Sequence, residues 1–386
     1  MGDQDSVSAG TEMTLWPTNF KRPGYGFAGW SDKFDWVLNE NDANGNGTGA
    51  NAGYHIYGPM QDITTPSDMS KGLSLYAVWV KSVGDIQDWT CPDDTIMPIG
   101  TVTALTDKRD DDTYAVAKLA DSNCWMIENL RLDYNPTNPD WGDENLSQGF
   151  GKSTTYGNFI GLAEPETANF TDATTANSLY YAGTQSGTAS INISQTNYAS
   201  YRMPRYNNNN TNPTATTANP NTTVANMTGS NDNIYSYGNY YTWAAAMANT
   251  GYYDTTTVDA NGYTPSEAAG TSICPKGWKL PYGRDTGKGA TSGGFYNLNY
   301  KINNNSNVTS ATASGNLRGF PNNFLYSGEF YNASARYRSG SGCYWSSTAY
   351  GYSASYNLHL TTSNVDPATS IAGNSSGRSV RCLVGS

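Results

Sequence analysis

Residues 272–281 read Ser272-Ile273-Cys274-Pro275-Lys276-Gly277-Trp278-Lys279-Leu280-Pro281, and predicted structure extends from them in both directions. Before them, residues 240–248 are Ala-rich and predict a short helix with an aromatic side. After them, apolar residues at i, i+3 and i+7 predict a second helix with Ser292 as a candidate N-cap: Phe295, Leu298 and Ile302. Short β pieces are predicted at 342–348, 355–360 and 378–384. The C-terminal part therefore combines two helices with short strands.

The N-terminal part predicts a small β domain. Residues 25–30 alternate after a Pro-Gly turn, which places Tyr25 and Phe27 on one face of a strand. Residues 73–80 alternate again and predict a second strand. Residues 1–10 are expected to form a tail, 11–82 the domain itself and 83–90 a linker.

The composition changes from Cys91 onward. Residues 102–106 and 113–119 predict two strands, joined by an acidic link at 107–112. Residues of about 135–232 are polar and rich in Asn and Thr, and we interpret them as an insertion, partly ordered and partly mobile. The second domain is expected to span 91–386.

Composition excludes several functions. Lys and Arg number 22 against 33 Asp and Glu, so the net charge of −11 argues against a nucleic-acid partner. No stretch approaches the ~20 apolar residues of a membrane span, so no membrane insertion is expected. Aromatic residues make up 13% of the chain, which indicates that they are packed or bind something, because disordered chains have few of them.

Two groups of residues carry resemblances to known families. Residues 22–30 and 75–79 resemble the Listeria–Bacteroides repeat, the internalin B-type module of bacterial surface proteins, with a Gly/Asn-rich departure at 42–53. That resemblance implies a β-grasp-like spacer. Six motifs in order are similar to the Fibrobacter succinogenes major paralogous domain: 106–114, 125–130, 241–246, 274–281, 344–348 and 379–382.

The second resemblance implies a fold and a location. It implies an α+β, C-type-lectin-like domain, related to the formylglycine-generating-enzyme-like fold, with two helices on a small twisted antiparallel sheet and long loops. Members of that family are mostly secreted or surface proteins. The sequence shows no secretory signal and no anchor, yet an extracellular or cell-surface location is expected.

The cysteines are consistent with this extracellular or cell-surface location. Cys274 and Cys382 bracket 108 residues, and a disulfide between them would stabilise the fold by about 4 to 5 kcal/mol. Cys91 and Cys124 bracket the first hairpin, for about 3 kcal/mol. Cys343 would then be a buried, inert thiol. Five cysteines allow 15 arrangements of two disulfides, and the sequence alone does not choose among them.

No metal or catalytic centre is expected. Asp107, Asp110, Asp111 and Asp112 offer hard oxygen ligands that would suit calcium, with a solvated turn as the alternative. Residues 42–47 match half of an EF-hand loop, but its twelfth position is Gly53, so a flexible insertion is favoured. For nucleophilic catalysis, His359 is the candidate base of this domain, and it is more typical of a sheet residue facing water.

Recognition is the remaining chemistry. Tyr and Trp offer large amphipathic surface at low entropic cost, and with Ser, Gly and Asn they are typical of adaptable binding loops. We expect the ligand-binding residues in the C-terminal third: Tyr331, Asn332, Arg336, Tyr337, Arg338, Tyr350, Tyr352 and Asn374.

The sequence thus predicts a bacterial adhesin-like binding protein, not an enzyme, whose partner is a glycan or protein on another cell or a host surface. Three alternatives stay open. A hypervariable receptor diversified by a retroelement would vary at Asn, Tyr and Ser sites between about 330 and 378. A surface-layer or filament subunit would show large repeated self-contacts. A carboxylate- or metal-dependent enzyme would bring acids together in a pocket.

Overall fold

The computed structural model describes thirteen segments of the chain. They are residues 8–18, 21–70, 72–109, 111–131, 237–238, 240–241, 243–246, 272–283, 294–331, 334–351, 354–367, 369–373 and 376–385. The predicted insertion at 135–232 and the residues Asp110, Ser292, Asn332, Tyr352 and Asn374 lie outside them.

The described residues of the N-terminal part form five strands: β1 (Glu12–Thr14), β2 (Tyr25–Ser31), β3 (Ile56–Tyr57), β4 (Asp62–Thr64) and β5 (Tyr76–Lys81). Antiparallel pairing gives a three-stranded sheet in the order β3-β2-β5, and β1 pairs with β4. Tyr25 and Phe27 lie on one face of β2, as their spacing predicts, because they stand opposite Lys81 and Trp79 of β5.

A four-stranded antiparallel sheet opens the C-terminal part. Its strands are β6 (Val102–Asp107), β7 (Asp112–Lys118), β8 (Cys124–Met126) and, from the end of the chain, β15 (Leu383–Val384). The order β15-β8-β7-β6 joins the predicted hairpin to the C-terminal tail.

The other described residues of the C-terminal part form three helices, a second four-stranded sheet and a two-stranded sheet. The helices are α1 (Trp243–Ala246), α2 (Phe295–Ile302) and α3 (Ala311–Arg318), and the strands are β9 (Glu329–Tyr331), β10 (Ser334–Arg336), β11 (Ser341–Gly351), β12 (Ala354–Thr361), β13 (Val365–Asp366) and β14 (Ile371–Gly373). β12 pairs with β11 on one side and with β13 and β14 on the other, and β9 pairs with β10. The described part of the chain is therefore a mixed, β-rich α and β structure.

The structure confirms the predicted apolar side of helix α2. Phe295 and Leu298 are buried and Ile302 packs against the core, but Gly294 occupies the N-cap position. Helix α3 was not predicted, because residues 311–318, ATASGNLR, show little apolar periodicity and include Gly315. It buries Ala313 and Leu317.

One hydrophobic core joins the N-terminal and C-terminal parts. Val78 and Val80 of β5 belong to the same buried cluster as Ala104 of β6 and Ala115 of β7. The sheets approach closely at Gly26, where an added Cβ would overlap the backbone of Tyr114 and Ala115. Glycine is therefore required at this position for the two sheets to pack, whatever its backbone dihedral angles.

Polar groups cross the same boundary. The carboxylate of Glu128 accepts N–H bonds from Phe27 (3.1 Å) and from Ala115 (2.7 Å). The Arg318 guanidinium donates to the Met60 carbonyl oxygen and to the Asp62 carboxylate. The bonds of Glu128 with Phe27 and of Arg318 with Met60 and Asp62 join residues 101, 258 and 256 positions apart, so they fix the N-terminal sheet on the C-terminal part.

Residues 83–90, predicted to be a linker, also make contacts with the C-terminal part. The Val83 N–H donates to the Ala104 carbonyl oxygen (3.0 Å), and the Gln87 amide donates to the buried Asp107 carboxylate (2.6 Å). The indole N–H of Trp278 donates to the Ile86 carbonyl oxygen (3.0 Å). The predicted domain boundaries stay a prediction, but Ile86 and Gln87, in the middle of the segment at 83–90, are buried against the C-terminal part.

The predicted disulfides are present. Cys91 pairs with Cys124 and Cys274 with Cys382, at Cα–Cα distances of 5.6 and 5.7 Å, and Cys343 is a buried free thiol. Next to Cys382, the buried Arg381 guanidinium donates to Asn129 Oδ1 (2.8 Å) and to the Asn322 carbonyl oxygen (2.7 Å). Burial lowers the pKa of Arg381 to about 10, although the side chain remains a cation near neutral pH.

None of the described helices is long and apolar enough to cross a membrane.

Candidate functional site

Three of the predicted ligand-binding residues lie in the turn between β10 and β11. Arg336 ends β10, Tyr337 follows it, and Arg338 leads towards Ser341, where β11 begins. The N–H groups of Gly340 and Ser341 donate to the Tyr337 carbonyl oxygen, at 3.1 and 2.8 Å. We call residues 336–341 the Tyr337 turn.

Tyr337 is the most exposed of the predicted residues that the structure describes. The residue is 62% exposed, and its backbone φ angle is 58°. A bulky residue in this left-handed region is uncommon, because Cβ crowds the following carbonyl group. The turn thus holds a tyrosine ring in solvent in an unfavourable backbone conformation.

Arg338 is held by aromatic rings. Its guanidinium lies 5.5 Å from the Tyr237 ring centroid and 5.6 Å from that of Tyr240, and its Nε donates to the Tyr240 hydroxyl (3.0 Å). The Tyr240 hydroxyl in turn donates to the Ser327 carbonyl oxygen. Arg338 therefore links the segment before α1 to the Tyr337 turn.

Tyr350 lies near the other end of β11. Its ring packs edge to face on Tyr356 at 5.5 Å, and Ile371 of β14 stands opposite Tyr356 in the sheet. Tyr350 and Ile371 are 39% and 42% exposed. Together they form a second, partly apolar surface.

The predicted residues do not all meet in one site. Ser341 stands opposite Thr361 and Gly351 opposite Ala354, so the two ends of β11 are separated by the length of β12. At ~3.4 Å per residue that length is about 24 Å. A small ligand cannot contact both Tyr337 and Tyr350. The backbone of Tyr331 lies in β9, while Asn332, Tyr352 and Asn374 lie outside the described residues.

A polar cluster behind the Tyr337 turn was missed by the sequence prediction. The Ser341 hydroxyl lies 2.8 Å from His359 Nε2 and 3.8 Å from the Cys343 thiol, and Cys343 and His359 stand directly opposite each other on β11 and β12. Strand alternation alone could place Ser341 and Cys343 on one face, but it could not pair them with His359, since that requires the strand register.

Two further charged side chains flank this cluster. Arg378 donates to the Glu329 carboxylate (2.6 Å) and to Asn357 Oδ1 (2.7 Å). Burial, followed by the charge of Arg378, lowers the pKa of His359, which favours the neutral imidazole. Burial raises the pKa of the Cys343 thiol, which keeps it protonated.

Two aspartates of the acidic link at 107–112 form ion pairs with cationic side chains. Asp107 forms a buried ion pair with Arg109 (2.6 Å), and Asp112 pairs with Arg131 (2.8 Å) and with Lys21 (2.8 Å). Among the described residues, no group of three or more His, Cys, Asp or Glu side chains is arranged to hold a metal ion. The lack of a cofactor stays a prediction.

In the EF-hand-like segment at 42–47, the first carboxylate accepts hydrogen bonds from within the segment. Asp42 accepts N–H bonds from Asn44 (2.8 Å) and Asn46 (3.0 Å), and the Asn46 side chain donates to the other carboxylate oxygen (2.8 Å). Such an Asx turn satisfies the carboxylate with the chain's own amides.

Comparison with models of known protein families, with curated proteins and with solved structures finds no match to this chain.

Proposed function

We propose that the protein is an adhesin-like binding protein of the bacterial surface or the extracellular space, and that the Tyr337 turn contacts its glycan or protein ligand. Two disulfides support the location, because such bonds persist in oxidising compartments. In this proposal the C-terminal part has a C-type-lectin-like fold, in which loops at the end of the sheet carry recognition.

The conformation of Tyr337 is the observation that carries this proposal. A left-handed backbone costs an L-residue about 1 to 2 kcal/mol, and a tyrosine residue that is 62% exposed recovers little of that cost through packing. Unfavourable backbone conformations of this kind cluster at ligand-binding sites. A role in binding accounts for a tyrosine here where glycine or asparagine would suit the fold better.

The neighbouring residues supply what such a contact needs. Arg338 is fixed between two tyrosine rings, and the disulfide between Cys274 and Cys382 closes the part of the chain that contains the turn. A turn that is ordered before binding loses little conformational entropy on binding, so the aromatic side chain that it carries contributes more to affinity.

An array of glycans and purified surface proteins tests the proposal. We expect binding by the wild type, and a loss of at least about tenfold in affinity for Tyr337→Gly, as for truncation of a central aromatic contact. Because glycine tolerates positive φ, this variant should keep the melting temperature of the wild type or exceed it. Binding unchanged by Tyr337→Gly would remove the assignment. Ile96→Ser, at a loop residue that is 73% exposed, is the control and should bind normally.

One observation favours a second candidate function, nucleophilic hydrolysis. A neutral His359 within 2.8 Å of the Ser341 hydroxyl has the geometry of a base and its nucleophile. Ser341 is, however, only 6% exposed, and the carboxylate of Asp366, opposite His359, accepts hydrogen bonds from Thr369. Labelling with a fluorophosphonate probe tests this second candidate function. Labelling of the wild type that is absent in Ser341→Ala would support hydrolysis, and a wild type that is not labelled would reject it.

A further inference from the structure

The sheet β3-β2-β5 has a second face, opposite the one that carries Val78 and Val80. Val78 and Val80 of β5 point into the core, so Ala77, Trp79 and Lys81 lie on the opposite face. The register places further aromatic residues beside them: Phe27 stands opposite Trp79, and Trp30 stands between Ala77 and Tyr57. We call Tyr25, Phe27, Trp30, Tyr57 and Trp79 the outer aromatic face.

The rings of this face pack on one another. Phe27 is 1% exposed, and its ring contacts those of Trp30 (5.2 Å) and Trp79 (5.4 Å) edge to face. Tyr25, Trp30, Tyr57 and Trp79 are all partly exposed. The Trp30 indole N–H donates to the carbonyl oxygen of Trp16, a residue that is 38% exposed. Edge-to-face packing fixes these rings before any ligand arrives.

Two cations lie at one end of the face. The Arg22 guanidinium is 3.7 Å from the Tyr25 ring centroid, and Lys81 stands opposite Tyr25 in the sheet. Both residues are exposed, and neither forms an ion pair with the described residues. By contrast, Lys21 and Lys33, close by in the sequence, are paired with Asp112 and Asp35. In a chain with a net charge of −11, two cations beside aromatic rings that form no ion pair within the described part of the chain mark a site for negative charge.

We propose that the outer aromatic face binds an anionic polysaccharide, such as a polyuronate. Sugar rings lie on Trp30 and Trp79, because the electron-rich face of an indole attracts the C–H groups of a pyranose ring. Carboxylates along the polysaccharide contact Arg22 and Lys81. This surface is separate from the Tyr337 turn, so the N-terminal part takes a direct role in recognition instead of acting as a spacer.

Calorimetric titration of the full chain tests this proposal with octagalacturonate as the probe and maltooctaose as the neutral control of equal length. We expect octagalacturonate to bind, with an affinity that falls as salt is raised, and maltooctaose to bind at least about tenfold more weakly. The double variant Arg22→Gln, Lys81→Gln changes only exposed side chains and should lose about tenfold in affinity. Lys301→Gln, at an exposed cation on α2, is the matched control and should bind as the wild type does.

Removal of a ring gives an independent measurement. Trp79→Leu keeps an apolar side chain on the sheet and should also lose at least about tenfold in affinity. Thermal unfolding checks that each variant is folded, and the charge variant keeps the test valid if Trp79→Leu is not. Failure of octagalacturonate to bind, equal binding of both sugars, or full binding by the charge variant would overturn the proposal. Tyr337→Gly should leave this titration unchanged, so the two proposals fail separately.

Discussion

The N-terminal and C-terminal parts of this molecule share one core but are stabilised differently. Both disulfides lie in the C-terminal part, whereas the described N-terminal residues contain no cysteine before Cys91. The N-terminal sheets instead depend on contacts that reach across the chain, from Glu128 to Phe27 and from Arg318 to Asp62. A cross-linked part thus supports a part without cross-links, and we expect the two to unfold together.

The largest effect is expected from the long disulfide. In the variant Cys274→Ser, Cys382→Ser, the free energy of unfolding should fall by about 4 to 5 kcal/mol, because the cross-link closes 108 residues. The disulfide between Cys91 and Cys124 closes a shorter loop of 33 residues, so the variant Cys91→Ser, Cys124→Ser should lose roughly 1 kcal/mol less. Urea denaturation of the purified variants measures both.

Hydrogen exchange makes this experiment a test of the shared core. In the long-disulfide variant, the amides of Val78 in β5 and Ala115 in β7 should lose protection by the same amount. If Val78 stays protected while Ala115 exchanges, the N-terminal part folds independently and the comparison above is wrong.

Loss of the Glu128 carboxylate is expected to have the next largest effect. Glu128→Ala leaves the N–H groups of Phe27 and Ala115 without an acceptor and removes a partner of Arg131, which lies 3.3 Å away. Leaving such buried groups unpaired costs about 3 kcal/mol. Chemical denaturation should show this loss, and Glu128→Gln, which keeps one amide oxygen as acceptor, should lose less. Equal losses in the two variants would mean that the hydrogen bonds to the carboxylate contribute little.

The smallest effect is a pH dependence at Asp62. Burial by itself would raise the pKa of Asp62, but hydrogen bonds from Arg318 and Thr14 and the charge of Arg318 outweigh it and lower the pKa. A lowered pKa in the folded state means that the ionised form stabilises folding above the unfolded pKa of about 4. That contribution is lost as the pH falls through the folded pKa.

Denaturation curves between pH 7 and pH 3 measure this contribution. Asp62→Asn should be less stable than the wild type at pH 7, and the gap should close towards pH 3. Glu12→Gln, at an exposed glutamate of β1, is the control. A gap that stays constant with pH would show that Asp62 acts by packing and not by charge.

Local patterns predicted much of this fold. Alternation located β2, β5, β6 and β7, and the i, i+3, i+7 spacing located α2, because each of these signals depends only on neighbouring residues. The sequence analysis also paired Cys91 with Cys124 and Cys274 with Cys382, as the structure does, although 15 arrangements of two disulfides were open. Helix α3 was missed because residues 311–318 have weak apolar periodicity and are helical through tertiary packing.

Long-range relationships could not be predicted in the same way. Nothing in the sequence near Ser341 indicates that His359 lies within hydrogen-bonding distance, because the bulged register of β11 and β12 decides it. The same holds for the shared core, since Val80 and Ala104 are 24 positions apart with a segment between them that resembles a linker. The distance between Tyr337 and Tyr350 likewise follows from the length of β12 and not from their nearness in sequence.

The absence of a side chain at Gly26 has an evolutionary consequence. A single methyl group there would force β2 away from β7, so even the mildest substitution at this codon should be rejected by selection. We therefore expect that recombination could not exchange the N-terminal sheet alone between proteins. Any recipient would need a matching backbone at the position of Ala115, so the two halves are expected to be inherited as a pair.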